Sequence, residues 1–118
     1  RDLSFYSLCE HHLLPFFGTV DLLYVPRNGQ VAGFSSLAKV VETLARRPQI
    51  QERLTQQIAQ AIYQALAPEG VLVQVQAQHL CLSMRGERKH GARVATRTVL
   101  GQLEERHLQL LAHAGRSR

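Results

Sequence analysis

The stretch from Val71 to Arg85 alternates strictly between apolar and polar or variable positions, and it limits the folds open to this chain more than any other segment. Period two is the signature of a strand, because successive side chains point to opposite faces of a sheet. Val71, Val73, Val75 and Ala77 therefore share one face, and in an unbulged strand His79, Cys81, Ser83 and Arg85 continue it. Packing residues grade into residues with chemistry along one line. From Cys81 to Arg85 is roughly 13 Å at about 3.3 Å per residue, so an extended molecule could meet a thiol at one end and a guanidinium at the other. Arg85 also fits a plain surface charge at a strand end.

The flanking segments decide what surrounds that strand. Leu3 to Leu8 and Phe16 to Val25 are rich in aromatic and branched residues and read as strands, with Pro26-Arg27-Asn28-Gly29 as a turn. The period then changes. Phe34, Leu37, Val40, Val41, Leu44 and Ala45 recur at helical spacing, with Ser35 as the expected N-cap. Pro48 closes that helix and opens a second, in which Ile50, Leu54, Ile58, Ile62 and Leu66 form a stripe opposite a glutamine-rich face expected to be solvated. Val94 to Leu100 is a further strand, and Glu104 to Ala112 a short terminal helix. Two strands, two antiparallel helices and two strands make an α+β layer, an antiparallel sheet covered by helices on one face only. The other face is then left for a homo-oligomer that closes sheets into a barrel.

The chain has two cysteines, each with histidine beside it: Cys9-Glu10-His11-His12 and His79-Leu80-Cys81. Cys9 and His12 lie three apart and can share a metal only if the chain turns between them. His79 and Cys81 lie two apart and face the same space on a strand. Two isolated thiols could instead be buried and inert, or joined as a disulfide. With both in imidazole company, the metal arrangement accounts for more of the pattern. Cys9, His12 and Cys81 give three protein donors with a fourth position open, the stoichiometry of a catalytic rather than a structural zinc.

With 118 residues and 45% hydrophobic content, the chain is one domain spanning 1–118 and is not disordered. No apolar run approaches the ~20 residues of a membrane span, and no signal peptide is visible. A cytoplasmic, reducing setting with free thiols is the expectation. Net charge is +5, with much of the excess after residue 84. Every Phe and Tyr lies at or before Tyr63, so the basic part lacks a stacking platform for single-stranded nucleic acid. A solvated basic face that holds a phosphorylated small molecule fits better than a nucleic-acid partner.

Four stretches together resemble the catalytic domain of the GTP cyclohydrolase I family: Cys9-Glu10-His11-His12, Gly33-Phe34-Ser35, Arg47-Pro48-Gln49-Ile50-Gln51-Glu52-Arg53-Leu54, and His79-Leu80-Cys81 through Arg85-Gly86. The resemblance runs through nearly the whole chain. It implies a tunnelling fold, with five subunits closing a barrel, two barrels stacking as a decamer, and active sites between subunits. It implies hydrolysis of GTP at C8 of guanine, with release of formate and formation of 7,8-dihydroneopterin triphosphate, the first step toward tetrahydrofolate or a related pterin. Carried over, the family's zinc ligands fall on Cys9, His12 and Cys81, and its proton-transfer histidines on His11 and His79, a residue type suited to proton traffic near neutral pH. Its guanine-reading pair falls on Gln51 and Glu52, which by sequence alone would be a solvated helix face. Further substrate contacts fall on Ser35, and on Lys39 and Arg85 toward the triphosphate, and Glu10 is placed to orient a ligand.

The sequence also departs from the family pattern. The helix after Gly33-Phe34-Ser35 normally carries a lysine where this chain has Ser36, and an arginine where it has Lys39. The resemblance puts the family's N-terminal helical region ahead of Arg1, outside this sequence, and makes the segment after Gly101 shorter than usual. A thinner phosphate clamp is expected, and with it two alternatives: an enzyme of the same fold acting on another purine or pterin, or a non-catalytic binding module. The complete set of Cys9, His11, His12, His79 and Cys81 speaks against the last.

Overall fold

The computed structural model describes residues 3–10, 13–27, 33–79 and 93–109. Its elements are β1 (Leu3–Leu8), β2 (Pro15–Val25), α1 (Phe34–Ala45), α2 (Gln51–Leu66), β3 (Gly70–His79) and β4 (Val94–Gly101). The four strands form one antiparallel sheet in the order β1-β2-β3-β4. Both helices are inserted between the central strands β2 and β3, so the sheet is a simple meander interrupted once.

The alternation in β3 does what a period of two requires. Val71, Val73, Val75 and Ala77 are all fully buried, and they pair in register with Tyr24, Leu22, Val20 and Gly18 of β2. Onto this face pack Leu54, Ile58, Ala59 and Ile62 of α2 and Val41 and Ala45 of α1. Burying each large aliphatic side chain there contributes roughly 1.5 to 3 kcal/mol. Gly18 permits the central pairing, because a Cβ at that position would sit 1.9 Å from the Gln76 carbonyl oxygen.

The second face carries Phe17, Thr19, Asp21, Gln74, Gln76 and Gln78. The expectation of helices on one face holds for α1 and α2. At one end, however, fully buried Leu72 packs with Leu23, Leu103 and Leu108, and residues 105–109 form a short helical turn there. The terminal helix thus closes a corner of the second face, where Leu72 and its register partner Leu23 supply an apolar pair to cover.

Two local expectations change. Ser35 does not cap α1: the cap is Gly33, with extended backbone at φ −75° and ψ 158° and no side-chain cap hydrogen bond. Ser35 falls one position inside the first helix residue, Phe34. Gln51, expected on a solvated face, is buried at 2% exposure, as is Gln49 at 1%. The turn residues Asn28 and Gly29, and the expected continuation of β3 from Leu80 to Arg85, lie outside the described residues. No helix among the described residues is long and apolar enough to cross a membrane.

Candidate active site

Cys9 follows β1 directly and sits at the base of a tight reversal. Its N–H donates to the Leu14 carbonyl at 2.8 Å, and the Leu13 N–H donates to the Cys9 carbonyl at 2.7 Å. Leu13 takes a left-handed φ of 56°, an uncommon conformation for a branched residue. The chain therefore doubles back between Cys9 and Leu14. The Cys9 thiol is free and half-buried. His11 and His12 lie outside the described residues, as do Cys81 and Arg85.

A short connection between the helices fixes this loop. Gln49 makes a parallel bridge with Cys9: its N–H donates to the Leu8 carbonyl at 2.8 Å, and its carbonyl accepts from the Glu10 N–H at 3.0 Å. The Gln49 side chain is held by donation to the Leu44 carbonyl and to Gln57 Oε1, both at 2.9 Å. Pro48, expected to close one helix and open the next, instead lies in the connection between the C-cap Arg46 of α1 and the N-cap Ile50 of α2, and the residue after it serves as a strand edge for the cysteine loop. Glu10 reaches the first turn of α2 as a two-pronged carboxylate. Arg53 Nη1 donates to Glu10 Oε1, and Arg53 Nη2 to Oε2 at 3.2 Å. That hydrogen bond and the carboxylate charge hold the Arg53 pKa above its ordinary value. Because both groups are largely in solvent, the pair contributes orientation more than stability.

His79 closes β3 and pairs with Phe16. The two rings stack, with centroids 4.7 Å apart and planes 3° from parallel, and Phe5 packs edge-on against Phe16 at 5.8 Å. Burial pushes the His79 imidazole below the usual histidine range, while the nearby Glu52 carboxylate pulls it the other way. His79 Nε2 lies 2.6 Å from Gln51 Oε1. The Gln51 amide nitrogen donates to the Val94 carbonyl at 2.8 Å, with the Val75 carbonyl and Thr96 Oγ1 each at 3.2 Å. Thr96 in turn lies 2.6 Å from Thr55 Oγ1, which is 2.8 Å from the Gln51 carbonyl.

Gln49 therefore holds Cys9 through its backbone, and Gln51, two residues on, holds His79 through its side chain. The cysteine loop, the histidine at the end of β3 and the first turn of α2 meet at one end of the sheet. Glu52 is exposed beside buried Gln51, so the solvated-face alternative holds for the carboxylate and fails for the amide. A cleft of about 880 Å³ opens at the opposite end of the sheet between Tyr63, Glu69, Gly101 and His107 and contains none of these residues.

Ser35 and Lys39 are exposed on α1 and do not join this cluster within one chain. Lys39, Thr43 and Leu44 line a groove with Ala61 of α2, and Ala61 is ten residues along α2 from Gln51, about 15 Å at ~1.5 Å per residue. The start of α1 is nevertheless suited to an anion. It has no side-chain cap and no acidic residue in its first turn, which leaves backbone N–H groups and the positive end of the helix dipole available.

Among the described residues, no three His, Cys, Asp or Glu side chains stand together as a metal site; two of the three expected ligands lie outside that set. The burial of Gln49 and Thr55, the half-buried Thr96 and the Arg53 partner of Glu10 were not foreseen from the sequence. Thr55 left a faint signal, a hydroxyl inside the apolar stripe of α2, and the others left none.

Comparison with known proteins agrees with this geometry. The family model for GTP cyclohydrolase I matches residues 1–113. The chain is 52% identical over 104 residues to GTP cyclohydrolase 1 of Bacillus cytotoxicus, covering 88% of this chain and 55% of that protein. It is 52% identical over 105 residues to GTP cyclohydrolase 1 of Streptococcus suis, covering 89% and 56%, and 53% identical over 104 residues to that of Geobacillus kaustophilus, covering 88% and 55%. The chain thus spans little more than half the length of these curated relatives. Among solved structures, the apo form of an archaeosine synthase QueF-Like protein superposes with a TM-score of 0.66 at 21% identity, covering 86% of this chain and 90% of that one. That likeness establishes the shared tunnelling-type fold.

Proposed function

The chain belongs to the GTP cyclohydrolase I family, and from that premise we propose that it catalyses zinc-dependent hydrolysis of GTP at C8 of the guanine ring. Formate leaves, and the product is 7,8-dihydroneopterin triphosphate, the first intermediate of tetrahydrofolate or related pterin synthesis. The observation that carries this reading is the adjacency through Gln49 and Gln51, which brings a half-buried free thiol and a stacked, hydrogen-bonded histidine to one end of the sheet.

The donor chemistry fits zinc. Cys9 offers a free thiol in a reversed loop, and Cys9, His12 and Cys81 would hold the ion with one position open. When bound, zinc supplies Lewis acidity and brings the pKa of a bound water toward ~7. The remaining roles belong to the chain's own residues. His79 and His11 exchange protons with the opening ring, and the stacking of His79 on Phe16 fixes the plane in which that exchange occurs. Glu52, exposed and one residue from Gln51, accepts hydrogen bonds from guanine N1–H and the 2-amino group. Ser35, Lys39, Arg85 and the uncapped start of α1 hold the triphosphate.

The distance between Lys39 and the Gln51 end of α2 favours active sites completed by a second copy, one chain supplying the α1 end and another the histidine end. This reading includes a homo-oligomer, a decamer of two pentamers, acting on GTP rather than on nucleic acid or membrane. The test is direct: zinc-loaded protein is supplied with GTP and followed for formate and for the fluorescence of the oxidised pterin. Equal amounts of both support the reading. Binding of a purine without ring opening would instead favour the non-catalytic module.

A further inference from the structure

The side chain of Gln51 is spent inside the protein, and its bonding has a direction that can be worked out. We infer that Gln51 is a positioning residue that locks the neutral His79 ring in the tautomer carrying hydrogen on Nε2, which leaves the Nδ1 lone pair free as its proton acceptor.

The other end of the amide fixes its orientation. Val75 and Val94 present carbonyl oxygens at 3.2 and 2.8 Å, and oxygens of that kind only accept. The group facing them must be the NH₂, so the Gln51 orientation is decided by its partners. The threonines give the same answer independently. Thr55 has one hydroxyl hydrogen, and the Gln51 carbonyl at 2.8 Å takes it. The contact of 2.6 Å between Thr55 and Thr96 must then use the Thr96 hydrogen. Thr96 is left with only lone pairs toward Gln51, so the amide nitrogen at 3.2 Å donates to it. Both routes leave Oε1 pointing at His79. An amide oxygen cannot donate, so the contact of 2.6 Å requires the hydrogen to lie on Nε2 of the ring.

Gln51 is 2% exposed, and reversing the amide would set its oxygen against two carbonyls while leaving a buried NH₂ facing the ring. That penalty keeps the tautomer single. It also separates two neighbours that the family resemblance groups together: Glu52 faces outward to the base, whereas Gln51 acts on the substrate only through His79.

The experiment is nitrogen NMR of the zinc-loaded, full-length protein with labelled histidine, at a pH well above the ordinary histidine value of about 6.5. The His79 signals are assigned by their loss in His79→Gln. The wild type should show His79 as a single tautomer with hydrogen on Nε2, and Gln51→Leu should convert it to a mixture or to the other form. A wild-type ring protonated on Nδ1, or a tautomer unmoved in Gln51→Leu, overturns the inference. If Gln51→Leu does not fold, the wild-type spectrum alone decides. A second arm rests on the cyclohydrolase reading: Gln51→Leu should lower kcat by about tenfold or more, within the ~10² to 10⁴ that a general acid or base supplies, with KM for GTP little changed. A raised KM with retained kcat would mean that Gln51 reads the base and would overturn the positioning role. If wild-type protein opens no GTP, the proposed function fails, and the tautomer arm still decides this inference on its own.

Discussion

Ser36→Lys introduces a cation at the position where the family resemblance leads one to expect a lysine, and the structure allows its effect to be separated into parts. Ser36 is exposed in the first turn of α1, so a lysine there meets no packing restriction. Gly33 provides no side-chain cap, and the turn holds no acidic residue, so a new cation lies against the positive end of the helix dipole. That costs about 0.3 to 1 kcal/mol of stability and lowers Tm by at most roughly 4 °C. Against a triphosphate, the same cation gains a charge-assisted contact worth roughly 1.5 to 3 kcal/mol, so KM for GTP should fall by about ten- to a hundredfold. The value of kcat should stay nearly constant, because the contact is equal in ground and transition states and lies far from the histidine end of the site. Steady-state kinetics by pterin fluorescence, with a thermal melt of the same preparation, reads both effects. An unchanged KM would refute the phosphate role of α1, and a kcat that moves as much as KM would refute the separation of phosphate binding from ring chemistry. If the variant still leaves GTP untouched while a less phosphorylated purine is opened, the substrate is that purine.

Zinc should bind at one equivalent per chain by metal analysis, and Cys81→Ala should lose metal and turnover together; a variant that keeps its zinc contradicts the ligand assignment. Sedimentation should give a large symmetric oligomer, whereas a monomer with full activity would contradict sites completed by a second copy. Ala67, at the C-cap of α2, adopts a left-handed φ of 45°. Ala67→Gly should therefore stabilise the protein by roughly 0.5 to 1 kcal/mol in chemical denaturation, and a loss of stability would show that this conformation is not strained.

The parts of this fold visible in the sequence are those set by local periodicity. The alternation from Val71 to Ala77 and the stripe of Leu54, Ile58 and Ile62 each report a buried face directly, and the order of elements follows from them. Ser35 misled because a serine near a helix start is a good cap in general, whereas here extended Gly33 precedes Phe34 and takes that position. Gln51 misled for a different reason. A glutamine on an amphipathic helix is ordinarily solvated, and its burial depends on acceptors 24 and 43 residues away on β3 and β4, which no local pattern encodes. The Glu10 to Arg53 pair, separated by 43 residues, is hidden in the same way. Cys9 and His79 stand out as candidates because their chemistry is written in residue type and short spacing, while the means of holding them is written in tertiary contacts.

The most direct test of the account uses GTP carrying a carbon label at C8 and the zinc-loaded protein. The label should appear quantitatively as formate, matched by unlabelled pterin, and neither should form after chelation of the zinc or in His79→Ala. Label retained in the purine while GTP is bound, or formate released at an undiminished rate by His79→Ala, would contradict it.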